Sequence, residues 1–475
     1  MERENAWKAY TDAQLEELEA LSRDYIDFIS DNKTERECTQ SAIELAEKAG
    51  YKPLAKAIES GQALKAGDKV WAHTHGKALI LMALGTDRLE DGFNILGAHI
   101  DSPRLDLKQN PLFENTDLAL LDTHYYGGIK KYQWVTLPLA IHGVIAKKDG
   151  SIVEVNVGED PADPVFCISD LLPHLGQEQM KKTASEVIDA ETLDVLVGGW
   201  PLSVDEDAEV ADDAPAWEKV AKKEPVKAHV LKVLAQKYGI DEEDFLSAEL
   251  EVVPAGRARE LGFDRSMVIG YGQDDRVCAY TSLVAQLAIE NPTRSAVTVL
   301  VDKEEIGSVG ATGMESLFFE NTIAEIMELA GEGGQIALRR ALANSKMLSS
   351  DVSAGLDPSY ASVFEPKNAA YLGRGLVFNK YTGARGKSGS NDTSAEFVAE
   401  VRKVMDDADV AFQTAELGKV DIGGGGTIAY IPAKYDMDVI DSGVAVLSMH
   451  APWEVTSKAD IYEARKGYEA FLKNA

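Results

Sequence analysis

Glu304 and Glu305 follow directly on the apolar run Ala296–Val301, in the order Asp302-Lys303-Glu304-Glu305-Ile306-Gly307-Ser308. Two adjacent carboxylates at the end of a buried strand repel each other and lose hydration. A cation or a shared proton relieves that cost. On a strand the two side chains would face opposite ways, but on the turn leaving it both can point into one cleft. A metal site would divide their labour, one Glu ligating the ion and the other handling a proton. A lone Glu-Glu pair is more often a solvated turn, so the metal reading depends on the rest of the chain.

Four further strand-like runs end in the same kind of residue. His99 and Asp101 follow Ile95–Ala98. Gln273-Asp274-Asp275-Arg276 follows Val268–Gly270. Asp351 follows Met347–Ser350, and His450 follows Val444–Met449. Ligands of open α/β sheets collect beyond the carboxyl ends of strands. Five such ends suggest one site assembled from scattered segments. His99, Asp274, Glu305, Asp351 and His450 offer two imidazoles and three carboxylates. With one carboxylate bridging, each of two metals receives a His, a terminal carboxylate and the bridge. Three protein ligands leave an open position for chemistry. Mixed nitrogen and oxygen donors without Cys suit Zn²⁺ foremost, with Mn²⁺ or Co²⁺ as alternatives. Asp101, two residues after His99, is placed to accept the other ring N–H of that His.

Other signals are weaker. Gly386-Lys387-Ser388 resembles the end of a phosphate-binding loop, but that motif needs a Gly at position 381, which is Tyr. The glycine run Gly423–Gly426 reads equally well as a plain turn. His73 and His75 would share one face of a strand, without a third ligand, and read as structural. His124, His142 and His229 have no partners in the sequence.

These residues must be held by a large fold. The 475 residues are 45% hydrophobic and 27% charged, with a net charge of −31. Such an acidic, globular chain argues against nucleic acid and anionic membranes as partners. No apolar run is long enough to span a bilayer. The polar start Met1–Asn5 has no signal-peptide core after it, and the widely spaced Cys38, Cys167 and Cys278 suit free thiols, so a cytoplasmic location is expected. Helix is expected over 11–60, from Leu15, Leu18, Leu21, Tyr25 and Phe28. Val70–Leu84 suits a hairpin or successive strands. From about 104 to 250 strand-like stretches (Trp134–Val144, Val153–Val157) alternate with turns, and the acidic run at Asp205–Pro215, with Glu206 in it, suits a solvated loop. We expect an inserted domain there. The later pattern is β/α: strand Val297–Val301, helix Ile323–Glu328, strand Lys346–Ser350, helix Ala395–Asp406, strand Val439–Ser448 and helix Asp460–Leu472.

Together, Gly97-Ala98-His99-Ile100-Asp101-Ser102-Pro103, Asp274-Asp275-Arg276, Asp302–Ser308, Ser349-Ser350-Asp351 and Ser448-Met449-His450 resemble, in order, the motifs of the aspartyl aminopeptidase / aminopeptidase I family of two-metal exopeptidases. The resemblance runs from roughly residue 20 to 470. It implies that His99 and Asp351 bind one metal, that Asp274 bridges, and that Glu305 and His450 complete the second. Glu304 would be the general base. The implied fold is a mixed-sheet, zinc-exopeptidase-like α/β catalytic domain (1–103 and 255–475) with an inserted β-rich dimerisation domain (104–254). Family members assemble as dodecamers built from dimers. A His of the insertion reaches a neighbour's active site, and Leu172-Pro173-His174-Leu175 resembles that segment, which makes His174 a candidate acting in trans.

The resemblance implies hydrolysis of N-terminal residues from peptides with a free amino end. A dinuclear deacylase or carboxypeptidase of the same fold is the alternative among enzymes. A non-catalytic shell protein is the alternative outside them, although no ligand or base of the motifs is missing. The segment after Asp351 departs from the His-rich one of eukaryotic members, which leaves the preferred N-terminal residue open.

Overall fold

The computed structural model describes residues 3–475 except Glu206 and Ala208. The chain divides into two compact units, residues 1–102 with 257–449 and 453–475, and residues 103–256 with 450–452.

The first unit is built on a nine-stranded sheet in the order Lys52–Pro53, Lys69–Thr74, Ala78–Ala83, Ala296–Val301, Asn94–His99, Lys346–Ser350, Asp438–Gly443, Leu376–Asn379, Phe412–Thr414. Its central strands are mainly apolar, as strands covered on both faces must be. Every residue of Ala78–Ala83, Asn94–His99 and Ala296–Val301 is buried. Asn94–His99 runs parallel to both of its neighbours, Ala296–Val301 and Lys346–Ser350. Helices Asp12–Asp31, Glu35–Lys48, Gln273–Leu287, Ala395–Asp407 and Lys458–Asn474 contribute to the core on one face, and Phe318–Leu329 with Gln335–Ala343 to the core on the other. The expected helical stretch 11–60 is three helices. Capping boxes at Thr11/Gln14 and Thr34/Glu37 start the first two, each satisfying otherwise orphaned backbone donors. Val70–Leu84 is the antiparallel hairpin Lys69–Thr74/Ala78–Ala83.

The single strand expected at Val439–Ser448 is two. Asp438–Gly443 belongs to the large sheet, while Ala445–Leu447 pairs in a separate five-stranded sheet. The break falls at Gly443, where a Cβ would lie 1.9 Å from the carbonyl oxygen of Asp351. Only a residue without a Cβ lets the two backbones approach so closely. The five expected strand ends therefore belong to two sheets: Met267–Gly270 and Ala445–Leu447 lie in the smaller one.

The second unit carries a six-stranded antiparallel sheet with strands Ile152–Val157, Leu139–Ala146, Ala248–Pro254, Arg104–Asn115, Leu118–Tyr126 and Val195–Gly198. The strand expected at Trp134–Val144 starts only at Leu139, because a 3-10 turn, Lys131–Gln133, precedes it. A helix, Pro225–Tyr238, was not expected in this stretch. The acidic residues Asp205, Asp207, Glu209, Asp212 and Asp213 are exposed, and Glu206 lies outside the described residues. No helix among the described residues is long and apolar enough to cross a membrane. Cys38, Cys167 and Cys278 are free thiols.

Candidate metal centre

His99 ends the strand Asn94–His99, and its two sheet neighbours end in the turn bearing Glu304 and Glu305 and in Asp351. Three adjacent parallel strands thus deliver a His and three carboxylates to one edge. Asp274 comes from the start of helix Gln273–Leu287, where Gly272 (φ 72°) turns the chain out of the smaller sheet. One ligand atom from each of His99, Asp274 and Asp351 lies within 4.8 Å of the others, and the same holds for His99, Glu304 and Glu305.

His99 is 1% exposed. Its Nδ1 faces Asp101, 3.2 Å from Oδ1 and 3.0 Å from the backbone carbonyl oxygen. Its Nε2 points at carboxylates, 3.2 Å from Asp274 Oδ1, 3.8 Å from Glu304 Oε2 and 3.9 Å from Asp351 Oδ1. That buried nitrogen has no well-aligned hydrogen bond. An imidazole nitrogen aimed into several carboxylate oxygens is a donor set that suits a divalent cation such as Zn²⁺.

Asp101, fully buried, does more than orient the imidazole. Its Oδ1 accepts the backbone N–H of Glu304 and its Oδ2 that of Glu305, each at 3.2 Å. One carboxylate therefore ties the His99 strand to the Glu304–Glu305 turn. The turn is held from below as well. Thr312 Oγ1 donates to Asp302 Oδ2 at 2.6 Å, and the backbone takes left-handed conformations at Lys303, Gly307 and Ser308. The sequence marked Asp101 for His99 alone, because its second pair of partners lies about two hundred residues away.

The local electrostatics call for positive charge. Burial first, then the charges of Glu304 and Asp275, push the Asp351 carboxyl well above the usual range. Burial does the same to Asp275. Burial alone would lower the pKa of His99, but the close carboxylates of Asp101, Asp274 and Glu304 carry it well above the usual imidazole value. A bound cation inverts this balance by stabilising the ionised carboxylates.

His450 groups with the second unit, where its Nδ1 lies 2.9 Å from the carbonyl oxygen of Gly128. His174 sits on an exposed turn of that unit, where Leu175 N–H closes onto Leu172 O at 3.1 Å. His73 lies on the strand Lys69–Thr74, but His75 falls in the hairpin turn with φ 50°, so the two do not share a strand face. His142 is buried, 3.2 Å from Glu159 Oε1. His229 contacts Trp200 O at 2.9 Å, and the exposed His124 contacts Tyr125 O at 2.8 Å. The sequence reading also missed Ser102 and Glu454, which hold the Asp274 backbone: Ser102 Oγ donates to Asp274 O at 2.7 Å, and Asp274 N–H donates to Glu454 Oε2 at 3.1 Å.

A family model described as aminopeptidase I zinc metalloprotease (M18) matches residues 28–472. A probable M18 family aminopeptidase 1 of Clostridium acetobutylicum is 60% identical over 473 residues, covering 100% of this chain and 98% of its own. Among solved structures, an M18-family aminopeptidase from Thermotoga maritima superposes with a TM-score of 0.92 at 45% identity, with both chains covered in full. Aminopeptidase I from Clostridium acetobutylicum gives 0.88 at 58% identity, again over 100% of both chains.

Proposed function

Since this chain belongs to the aminopeptidase I (M18) family of zinc metalloproteases and is a metallo-aminopeptidase, we propose that it works through two divalent cations with Glu304 as general base. One observation carries the proposal. Three adjacent parallel strands and the Asp274 turn bring His99, Asp274, Asp351, Glu304 and Glu305 together around a buried imidazole nitrogen without an aligned hydrogen bond. His99 and Asp351 would hold one ion, Asp274 would bridge, and Glu305 with His450 would hold the other. His450 enters on its sequence motif. The ions, when bound, supply a water acidified toward neutrality and a Lewis acid for the scissile carbonyl.

The chain's own groups do the rest. Glu304 takes a proton from the attacking water and returns it to the leaving amine. Asp101 keeps the His99 ring oriented and pins the Glu304–Glu305 turn, so the base cannot drift from the ligands. The acid-rich cleft favours a positively charged α-amino group, which would confine cleavage to peptide N-termini. We assign the segment 104–254 to dimerisation and a homo-oligomer, a dodecamer built from dimers, to the assembly. Exposed Leu171, Leu172, Leu175, Met180 and Trp200 in that segment support an interaction surface. His174, on its exposed turn among them, would complete a neighbour's substrate site.

A panel of aminoacyl chromogenic substrates and their N-acylated counterparts, run with several metals, tests the reaction. Hydrolysis is expected only for the free-amino series. Turnover of the acylated series would move the activity to a deacylase.

A further inference from the structure

Asp274 sits where its helix has not yet begun. Gln273–Leu287 opens with Asp274 at φ −82°, ψ 105° and Asp275 at φ −115°, ψ 25°, both outside the helical region. The direction of the Asp274 side chain therefore depends on whatever holds its backbone from outside the helix.

Two side chains hold it. Ser102 Oγ donates to the carbonyl oxygen of Asp274 at 2.7 Å, and the N–H of Asp274 donates to Glu454 Oε2 at 3.1 Å. Glu454 is 1% exposed, and its own position is fixed by the sheet. It stands opposite Gly270 in the antiparallel pair of Met267–Gly270 with Glu454–Ser457. Its carbonyl oxygen accepts Gln273 Nε2 at 2.6 Å. The same amide nitrogen donates to Val268 O at 3.2 Å, while Gln273 Oε1 accepts the hydroxyl of the buried Tyr25 at 3.1 Å. The strand thus aligns Glu454, Glu454 aligns the Asp274 peptide, and the peptide aims the Asp274 carboxylate at His99 Nε2, 3.2 Å away. Burying a carboxylate is costly unless it is hydrogen-bonded, and the Asp274 N–H is a partner that Glu454 reaches from its strand.

We propose that Glu454 is a positioning residue for the metal-bridging carboxylate of Asp274. The proposal rests on the reading of Asp274 as a metal ligand given above. Reach is what matters: the carboxylate must extend far enough from its strand to meet the Asp274 N–H.

Two variants separate reach from charge. Glu454→Asp keeps the charge and shortens the side chain by one methylene, while Glu454→Gln keeps the length and an acceptor oxygen. The readout is metal affinity of the full-length protein, by competition with a chromogenic chelator, with circular dichroism confirming the fold. Glu454→Asp is expected to weaken metal binding by about 10–100-fold, the usual scale for loss of a group supporting a ligand, and Glu454→Gln to stay close to wild type. Wild-type affinity in a folded Glu454→Asp would overturn the proposal. So would equal losses in both variants, because the loss would then not follow the reach of the side chain. Asp274→Asn, measured alongside, separates the two layers. Metal loss in Asp274→Asn with none in Glu454→Asp rejects the role of Glu454 and leaves the metal site standing. Unchanged metal binding in Asp274→Asn rejects the site assignment itself.

Discussion

His99 and His174 are the same side chain in opposite settings. His99 is 1% exposed, at the end of a central strand, with one ring nitrogen on Asp101 and the other facing three carboxylates. His174 stands on an exposed turn, flanked by the exposed Leu172 and Leu175. The first has every partner it needs inside its own unit. Any chemistry of the second must be completed by something outside its turn. Burial with charged partners suits a group that acts within its own chain, while exposure amid apolar neighbours is what supports the proposal that His174 acts on a neighbour.

The broadest test removes what His99 is arranged to hold. Chelation is expected to abolish hydrolysis, and Zn²⁺, Mn²⁺ or Co²⁺ to restore it; full activity in metal-free protein would dissolve the contrast at once. Next, Glu304→Gln is expected to lose on the order of 10²–10⁴-fold in kcat while keeping its metal, the scale of a lost general base. Glu305→Gln is expected to lose metal instead. Elemental analysis showing the reverse pattern would exchange the two roles. Asp101→Asn comes third, with about 10–100-fold lost in metal affinity or activity, read by the same chelator competition. Wild-type behaviour would mean that the turn holds itself. His174→Ala is expected to have the smallest effect, about tenfold or somewhat more for one lost hydrogen bond to a charged group, with metal content and assembly intact. Mixing it with Glu304→Gln subunits is expected to recover activity, since a mixed pair holds one site with both residues. No recovery, once subunit exchange is demonstrated, would return His174 to its own chain.

The buried side of this contrast was the more legible in sequence. Apolar runs that stop abruptly at His99, Glu304 and Asp351 locate strand ends, because a strand covered on both faces has no other place for a charge. What escaped was whatever depended on distant backbone. The second pair of bonds made by Asp101 joins segments far apart in sequence. Glu454 drew no reading from the sequence, since nothing in Glu-Val-Thr-Ser marks the acid as buried. The exchange of sheets at Gly443 lies inside one continuous apolar run and is set by contact with Asp351, which no local pattern encodes. Helix Pro225–Tyr238 was hidden by its β-branched residues, whose weak preference tertiary packing overrode.

The order of the three central strands also sets a timetable. A chain emerging from the ribosome makes Asn94–His99 early, but its neighbours begin only at Ala296 and Lys346. In the interval the whole of residues 103–256 is synthesised, a segment compact in its own right, and such segments fold as units during synthesis. On the proposed assignment, the strand-end ligands are not all present until the chain has passed Asp351, and His450 follows all nine strands of the large sheet. Metal uptake is then expected to be a late event laid on a largely formed fold, unlike small domains in which the ion stands in for a core and drives folding.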